Sequence, residues 1–223
     1  MILCGGFHLS HGEKLECQFY VTEVFYVGNV YYCSVASLDN SFNNMTIDGF
    51  TGVHKANKND NDVKGIWIHE TNTKYIPANL GFSVHLTLLL VLNSNLIEIK
   101  AENFLGMQEL QYLNLYGNNI ISVPLDAFST LTKLIYLNLM KNQIEVIPSN
   151  LFSNNLNIEE INLGYNKIKY IGSGFFHQLK KLDIVYLSEN ICVNDVYVDI
   201  IQLKHEIKSK CNNPNDPYEL ITN

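Results

Sequence analysis

From about Val63 to Val193 the apolar positions return at a fixed interval of 24 residues, and asparagine closes the phrase at Asn118, Asn142, Asn166 and Asn190. One unit runs Leu110, Leu113, Leu115, Asn118, Ile120, Val123, Phe128, Leu131. A step of 24 gives Leu134, Leu137, Leu139, Asn142, Ile144, Ile147, Phe152, and the next gives Ile158, Ile161, Leu163, Asn166, Ile168, Ile171, Phe176, Leu179. One step back stand Leu86, Leu89, Val91, Ser94, Leu96, Ile99, Phe104, Met107, and the last unit is Leu182, Val185, Leu187, Asn190. Five units are thus in phase, with Asn155 the one break in register. Self-similarity at such a period marks a repeat architecture in which each unit is one coil stacked on its neighbours.

The spacing predicts what each position does. Leu113 and Leu115, two apart, point to the same side of a short strand. Asn118 then turns the chain inward, where its amide both donates to and accepts from the backbone of the adjacent coil, so a column of asparagines satisfies polar groups that the turn buries. Phe104, Phe128, Phe152 and Phe176 form a second column in the wider, convex half. Each inward Leu, Ile or Phe contributes about 1.5–3 kcal/mol when buried, but a single coil cannot cover its own apolar side. Stacking supplies the core.

The phrases LQYLNLYGNNI (110–120), LIYLNLMKNQI (134–144) and IEEINLGYNKI (158–168) resemble the 24-residue repeat of extracellular leucine-rich repeat proteins. The resemblance implies an α/β solenoid, a horseshoe or arc with a parallel β-sheet on its concave face, a β-hairpin cap before it and a helical cap after it. It extends to short secreted repeat proteins of invertebrates and to Toll-like receptor ectodomains. That similarity implies a recognition role, with an immune setting one possibility among others on the cell surface.

The chain divides on this pattern into a terminus 1–12, an amino-terminal β cap 13–62, about six coils over 63–191, a carboxy-terminal cap 192–211 and a polar tail 212–223. Met1 to Gly12 has a short apolar start without a basic segment, and reads either as the tail of a signal peptide or as an ordinary terminus. Cys17 and Cys33 flank QFYVTEVFYVGNVYY, a hairpin pattern with its turn expected at Gly28-Asn29. A Cys17–Cys33 bridge would staple this hairpin over the open end of the core. The alternative is two free thiols in a reducing compartment, as an intracellular repeat scaffold would have. Asn44-Met45-Thr46 is a glycosylation sequon. Asp60 and Asp62 are spaced like the start of a calcium loop but lack its other ligands, so a solvated turn is expected. Val63, Ile66, Ile68, Ile76 and Pro77 form a shortened first coil, with Thr71 in the asparagine slot. After Cys192, the residues Ile200, Ile201, Leu203 and Ile207 suit an amphipathic helix, and a Cys192–Cys211 bridge would pin it across the last coil. This is similar to the cysteine-bearing caps of extracellular repeats, which often carry four cysteines where this one has two.

Composition narrows the function. The net charge is −7 and all 15 basic residues are lysine; without arginine, bidentate recognition of phosphate or guanine is not expected, nor therefore a nucleic-acid partner. LTLLLVL at 86–92 is far too short to cross a membrane. Phosphate-binding, dinucleotide-binding, zinc-protease and nucleophile-elbow motifs are all missing, and the histidines occupy unrelated repeat positions, so neither an enzyme nor a cofactor or metal is expected. What remains is the outer face of the strands. Trp67, His69, Leu88, Leu90, Leu92, Tyr112, Tyr116, Tyr136, Met140, Tyr165 and Tyr186 are expected to line the concave face, with Asn114, Asn138 and Asn162 in its middle and Glu160 toward its end. Such an apolar and aromatic patch asks for an occupant. Three fit: a heterologous protein, a second copy of the chain in a homodimer, or the chain's own amino-terminal segment.

Overall fold

The computed structural model describes residues 13–35, 37–38, 45–82, 85–176 and 178–211. The segment 1–12, the sequon asparagine Asn44 and the tail 212–223 lie outside these described residues. The strands are β1 (Glu13–Glu16), β2 (Gln18–Val24), β3 (Gly28–Val35), β4 (Ile47–Thr51), β5 (Gly65–His69), β6 (Leu88–Leu92), β7 (Tyr112–Asn114), β8 (Tyr136–Asn138), β9 (Val146–Ile147), β10 (Glu160–Asn162), β11 (Tyr170–Ile171), β12 (Ile184–Tyr186) and β13 (Val196–Tyr197); one helix, α1, spans Ile200–Lys210. Nine of them form one sheet in the order β13-β12-β10-β8-β7-β6-β5-β3-β2. From β3 to β12 every neighbouring pair is parallel, one strand per coil, whereas β2 and β13 close the two edges antiparallel. The chain is therefore a parallel-stranded solenoid whose coils share one continuous core.

The asparagine column accounts for the regular stacking. Asn118 Oδ1 accepts from the N–H groups of Ser94 and Leu96, both at 3.1 Å, while its Nδ2 donates to the carbonyls of Val91 at 2.7 Å and Leu115 at 2.9 Å. Asn142 repeats this with Ile120 N–H, Leu115 and Leu139. Asn166 bonds Ile144 N–H, Leu139 and Leu163, and Asn190 bonds Ile168 N–H, Leu163 and Leu187. Each carbonyl at Leu115, Leu139 and Leu163 is thus held by two successive asparagines. Earlier in the chain the slot carries shorter side chains, which bond closer to home: Ser94 Oγ donates to Leu92 O at 2.8 Å and Thr71 pairs with Thr73 at 2.7 Å. The break at Asn155 also has a physical reason. Fully buried, its amide donates to the carbonyls of Phe128 at 2.9 Å and Leu131 at 2.8 Å, adding a cross-coil bond to each carbonyl that the turn of the previous coil already engages once.

The phenylalanine column departs from its expected register at one end. Phe104, Phe128 and Phe152 stack at 5.9 and 5.8 Å, but the ring that continues the column is Phe175, 5.1 Å from Phe152; Phe176 is buried edge-on behind it. At the amino-terminal end Cys17 and Cys33 are bonded (S–S 1.99 Å), and β1 pairs in parallel with β4 in a separate two-stranded sheet. The hairpin turn is not at Gly28-Asn29: Gly28 already pairs with Val24, and the loop is Phe25, Tyr26 and Val27, with Tyr26 at φ 71°. At the other end Cys192 is bonded to Cys211 and α1 is capped by Asp199, whose carboxylate accepts from Ile201 N–H and Gln202 N–H. Leu203 and Ile207 bury their side chains against the last coil, whereas Ile201 is 81% exposed and takes no part in the packed face.

Candidate recognition surface

The parallel register arranges the outer side chains of the sheet in rows. Gly65, Leu88, Tyr112, Tyr136, Glu160 and Ile184 align in the first, and Trp67, Leu90, Asn114, Asn138, Asn162 and Tyr186 in the second. His69 pairs with Leu92 at the far end of their strands, and the 24-residue step carries that position on to Tyr116 and Met140. The alternation of buried and half-buried residues along β5 and β6 confirms that Ile66, Ile68, Leu89 and Val91 face the core and their neighbours face outward.

The first row is not free. β3 runs past the start of β5, since Tyr32 is the residue opposite Gly65, and the rest of the hairpin curls back over the outer face of the sheet. Val30 and Tyr32 close over Leu88 in a second hydrophobic cluster, against which Val24, Val27, Trp67, Leu90 and Tyr112 pack. Leu88 is therefore 1% exposed, which corrects the expectation that it stands open on the concave face; its side chain does point outward, but the chain's own hairpin covers it. Gly65 makes this overlay possible. A Cβ there would lie 2.9 Å from both Tyr32 Cβ and Val30 Cγ1, closer than side chains tolerate. Beyond this cluster the tip reaches further still: the Tyr26 hydroxyl donates to Glu160 Oε2 at 3.0 Å, and the Tyr26 ring lies 6.1 Å from that of Tyr136.

Tyr136 is itself stacked on Tyr112, with centroids 4.1 Å apart and planes 10° from parallel, and accepts at its hydroxyl from Asn138 Nδ2. Burial, reinforced by Tyr112, pushes the Tyr136 hydroxyl well above the ordinary tyrosine range, and burial followed by the bond to Glu160 does the same to Tyr26. Burial also raises Tyr112, and for Tyr186 burial is followed by the charge of Glu160. These groups stay neutral at any ordinary pH and serve as hydrogen-bonding and stacking surfaces. Trp67 and His69 lie side by side with centroids 4.9 Å apart, His69 Nε2 sits 3.3 Å from Ser34 Oγ, and Trp67 Nε1 is buried without a partner.

What the hairpin leaves open is the far end of the strands. Leu92, Tyr116, Met140 and Tyr186 are half-buried and Tyr165 is 49% exposed. Lys141, at φ 55° in the turn between them, holds its ammonium 5.2 Å above the Tyr116 ring and 5.9 Å above that of Tyr165; a bond to the Tyr116 hydroxyl raises its pKa. Phe25, at the hairpin tip, is 79% exposed. Among the described residues no His, Cys, Asp and Glu cluster could hold a metal ion, and no helix is long and apolar enough to cross a membrane.

A family model described as the BspA type leucine-rich repeat region matches residues 82–198 in 6 copies. The chain belongs to that leucine-rich repeat family. Among solved structures, this leucine-rich repeat protein is similar to a leucine-rich repeat protein of Leptospira interrogans, at 22% identity over 60% of this chain and 34% of that chain, with a TM-score of 0.53. It is also similar to a chain of the Toll–Spatzle complex of Drosophila (17% identity, 58% of this chain and 24% of that chain, TM-score 0.46) and to one of the TLR13–ssRNA13 complex (25%, 55% and 18%, TM-score 0.48). It spans about a third of the first and less of the other two. No curated protein sequence matches it. The Leptospira likeness is one of fold.

Phe25, Tyr26 and Gly65 were not among the residues that the sequence put forward for this surface. One signal for them was present: β3 is apolar at both alternate positions, Tyr31, Cys33 and Val35 on one side and Val30 and Tyr32 on the other, as a strand covered on both faces requires.

Proposed function

We propose that this leucine-rich repeat protein is a non-enzymatic, secreted binding module that takes a protein partner on a composite surface: the open strip Leu92, Tyr116, Met140 and Tyr165, together with the hairpin tip at Phe25 and Tyr26. The observation that carries the proposal is the strip itself, a run of apolar and aromatic side chains left uncovered by a hairpin that covers the rest of the same face. Aromatic residues and methionine are the types enriched at interface centres, and a largely exposed phenylalanine at a loop tip is a poor use of apolar surface unless something packs on it. The two disulfides support an oxidising, extracellular compartment over an intracellular scaffold with free thiols.

The test is capture from extracellular fluid by the immobilised full chain, compared with a Met140→Asp/Tyr165→Asn variant. Asparagine is chosen at 165 because it tolerates the φ of 54° found there. Proteins retained by the wild type and lost by the variant, at an unchanged thermal midpoint, are the expected result. Equal retention by both chains discards the strip as the binding surface.

A further inference from the structure

Glu160 is the one carboxylate in the outward-facing strand rows, and tyrosines gather around it. Tyr26 donates to it at 3.0 Å, Tyr136 lies 6.1 Å from Tyr26 and 4.1 Å from Tyr112, and Tyr186 stands on the next strand opposite Asn162, two residues along from Glu160. Glu159 and Asp183 flank this group, and both act on the Tyr26 hydroxyl. Among the described residues no lysine or histidine forms an ion pair with Glu159, Glu160 or Asp183, although the lysines elsewhere take Glu98, Glu109, Glu145 and Glu206 as partners. The same sheet shows what its tyrosine faces accept: Lys141 lies over Tyr116 and Tyr165 at one edge. At the opposite edge Glu160 stands among equivalent rings and forms no ion pair among the described residues, whereas Glu159 beside it lines a hollow shared with Lys133 and Lys181 on the flank away from those rings' hairpin wall.

We propose that the group formed by Tyr26, Tyr136, Glu160 and Tyr186 is the docking point for a basic side chain, a lysine or arginine presented by the protein partner. This rests on the partner-binding role proposed above and adds the partner's chemistry. Tyrosine faces attract a cation through their quadrupole, the carboxylate adds a charge-assisted hydrogen bond, and the half-buried setting strengthens both. The hairpin tip acts as one wall of the site as well as a cover for the first row.

Hexalysine and hexaglutamate, added separately to the full chain, are the probes, and assigned tyrosine ring signals in NMR are the readout. Hexalysine is expected to shift Tyr26, Tyr136 and Tyr186 saturably, hexaglutamate to leave them in place, and Glu160→Gln to weaken hexalysine about fivefold or more. Glutamine keeps an acceptor for the Tyr26 hydroxyl, so the hairpin contact survives while the charge is lost; Tyr186→Leu, remote from the hairpin, is expected to weaken binding independently. Equal affinity of wild type and Glu160→Gln, shifts at tyrosines elsewhere, or no shift at all overturns the proposal. A partner that is lost by Met140→Asp/Tyr165→Asn but bound normally by Glu160→Gln leaves the module's binding role standing and removes the basic anchor.

Discussion

Removing adjacent members of the asparagine column should cost more than the sum of removing each. In Asn118→Ala the buried N–H groups of Ser94 and Leu96 lose the acceptor Oδ1, at about 1–3 kcal/mol for each unpaired group. The Leu115 carbonyl, however, keeps its bond from Asn142 Nδ2 at 3.0 Å. In Asn142→Ala, Ile120 N–H is orphaned, while Leu115 keeps Asn118 and Leu139 keeps Asn166. The double variant strips Leu115 of both donors, so an additional penalty of about 1–3 kcal/mol beyond the two single effects is expected. Asn118 and Asn166 share no carbonyl, and their double variant should be additive within about 0.5 kcal/mol. Urea unfolding followed by circular dichroism, with the slope checked for constancy across all variants, measures both cycles. Additivity for Asn118 with Asn142 would refute the reasoning, because it would mean that the shared carbonyl contributes nothing.

Gly65→Val forces a side chain into contact with Val30 and Tyr32; it should destabilise by about 1–3 kcal/mol and make the hairpin amides exchange faster with solvent, with the later coils unaffected. Replacing Cys17 and Cys33 by serine removes a bridge between residues 16 apart and should lower unfolding free energy by about 3 kcal/mol, whereas labelling the unreduced wild type should find no free thiol at Cys17, Cys33, Cys192 or Cys211. The carboxyl of Glu206 is held down to about 2 by the Lys210 ammonium, then by Tyr197 and Gln202. Because this folded-state value is depressed, its support for the packing of α1 is complete above the ordinary value of 4.5 and is lost as pH falls toward about 2. Helix signals from α1 should therefore fade over that window before the coils unfold, and Glu206→Gln should abolish the dependence.

The periodic part of the molecule was legible because each position in the repeat has one physical duty. Leucines two apart face the core, the asparagine satisfies the turn, and five copies leave no ambiguity of phase. Phe175 escaped notice since two adjacent phenylalanines compete for one slot in the last coil, and only packing decides between them. Asn155 looked like a defect because a polar residue at an apolar position announces nothing about the carbonyls it meets across the coil. The hairpin was foreseen as an element but not in its path. Gly28-Asn29 is a strong local turn signal, yet the loop sits at Phe25–Val27 with Tyr26 at a positive φ, a conformation costly for a bulky residue. The contacts of Tyr26 with Tyr136 and Glu160, more than a hundred residues away, offset that cost, and no local pattern encodes them. The outward-facing list did not anticipate cover: Leu88, one of three leucines in it, is the candidate most thoroughly enclosed.

The overlay of the hairpin on the concave face decides which residues remain for a partner, and proton NMR tests it directly in the isolated chain. Cross-peaks between the ring protons of Tyr26 and those of Tyr136, and between Leu88 methyls and the Tyr32 ring, are the expected result. Sharp, freely averaging Tyr26 signals with no contact to Tyr136 would contradict it, and would return Leu88 and Tyr112 to the open face.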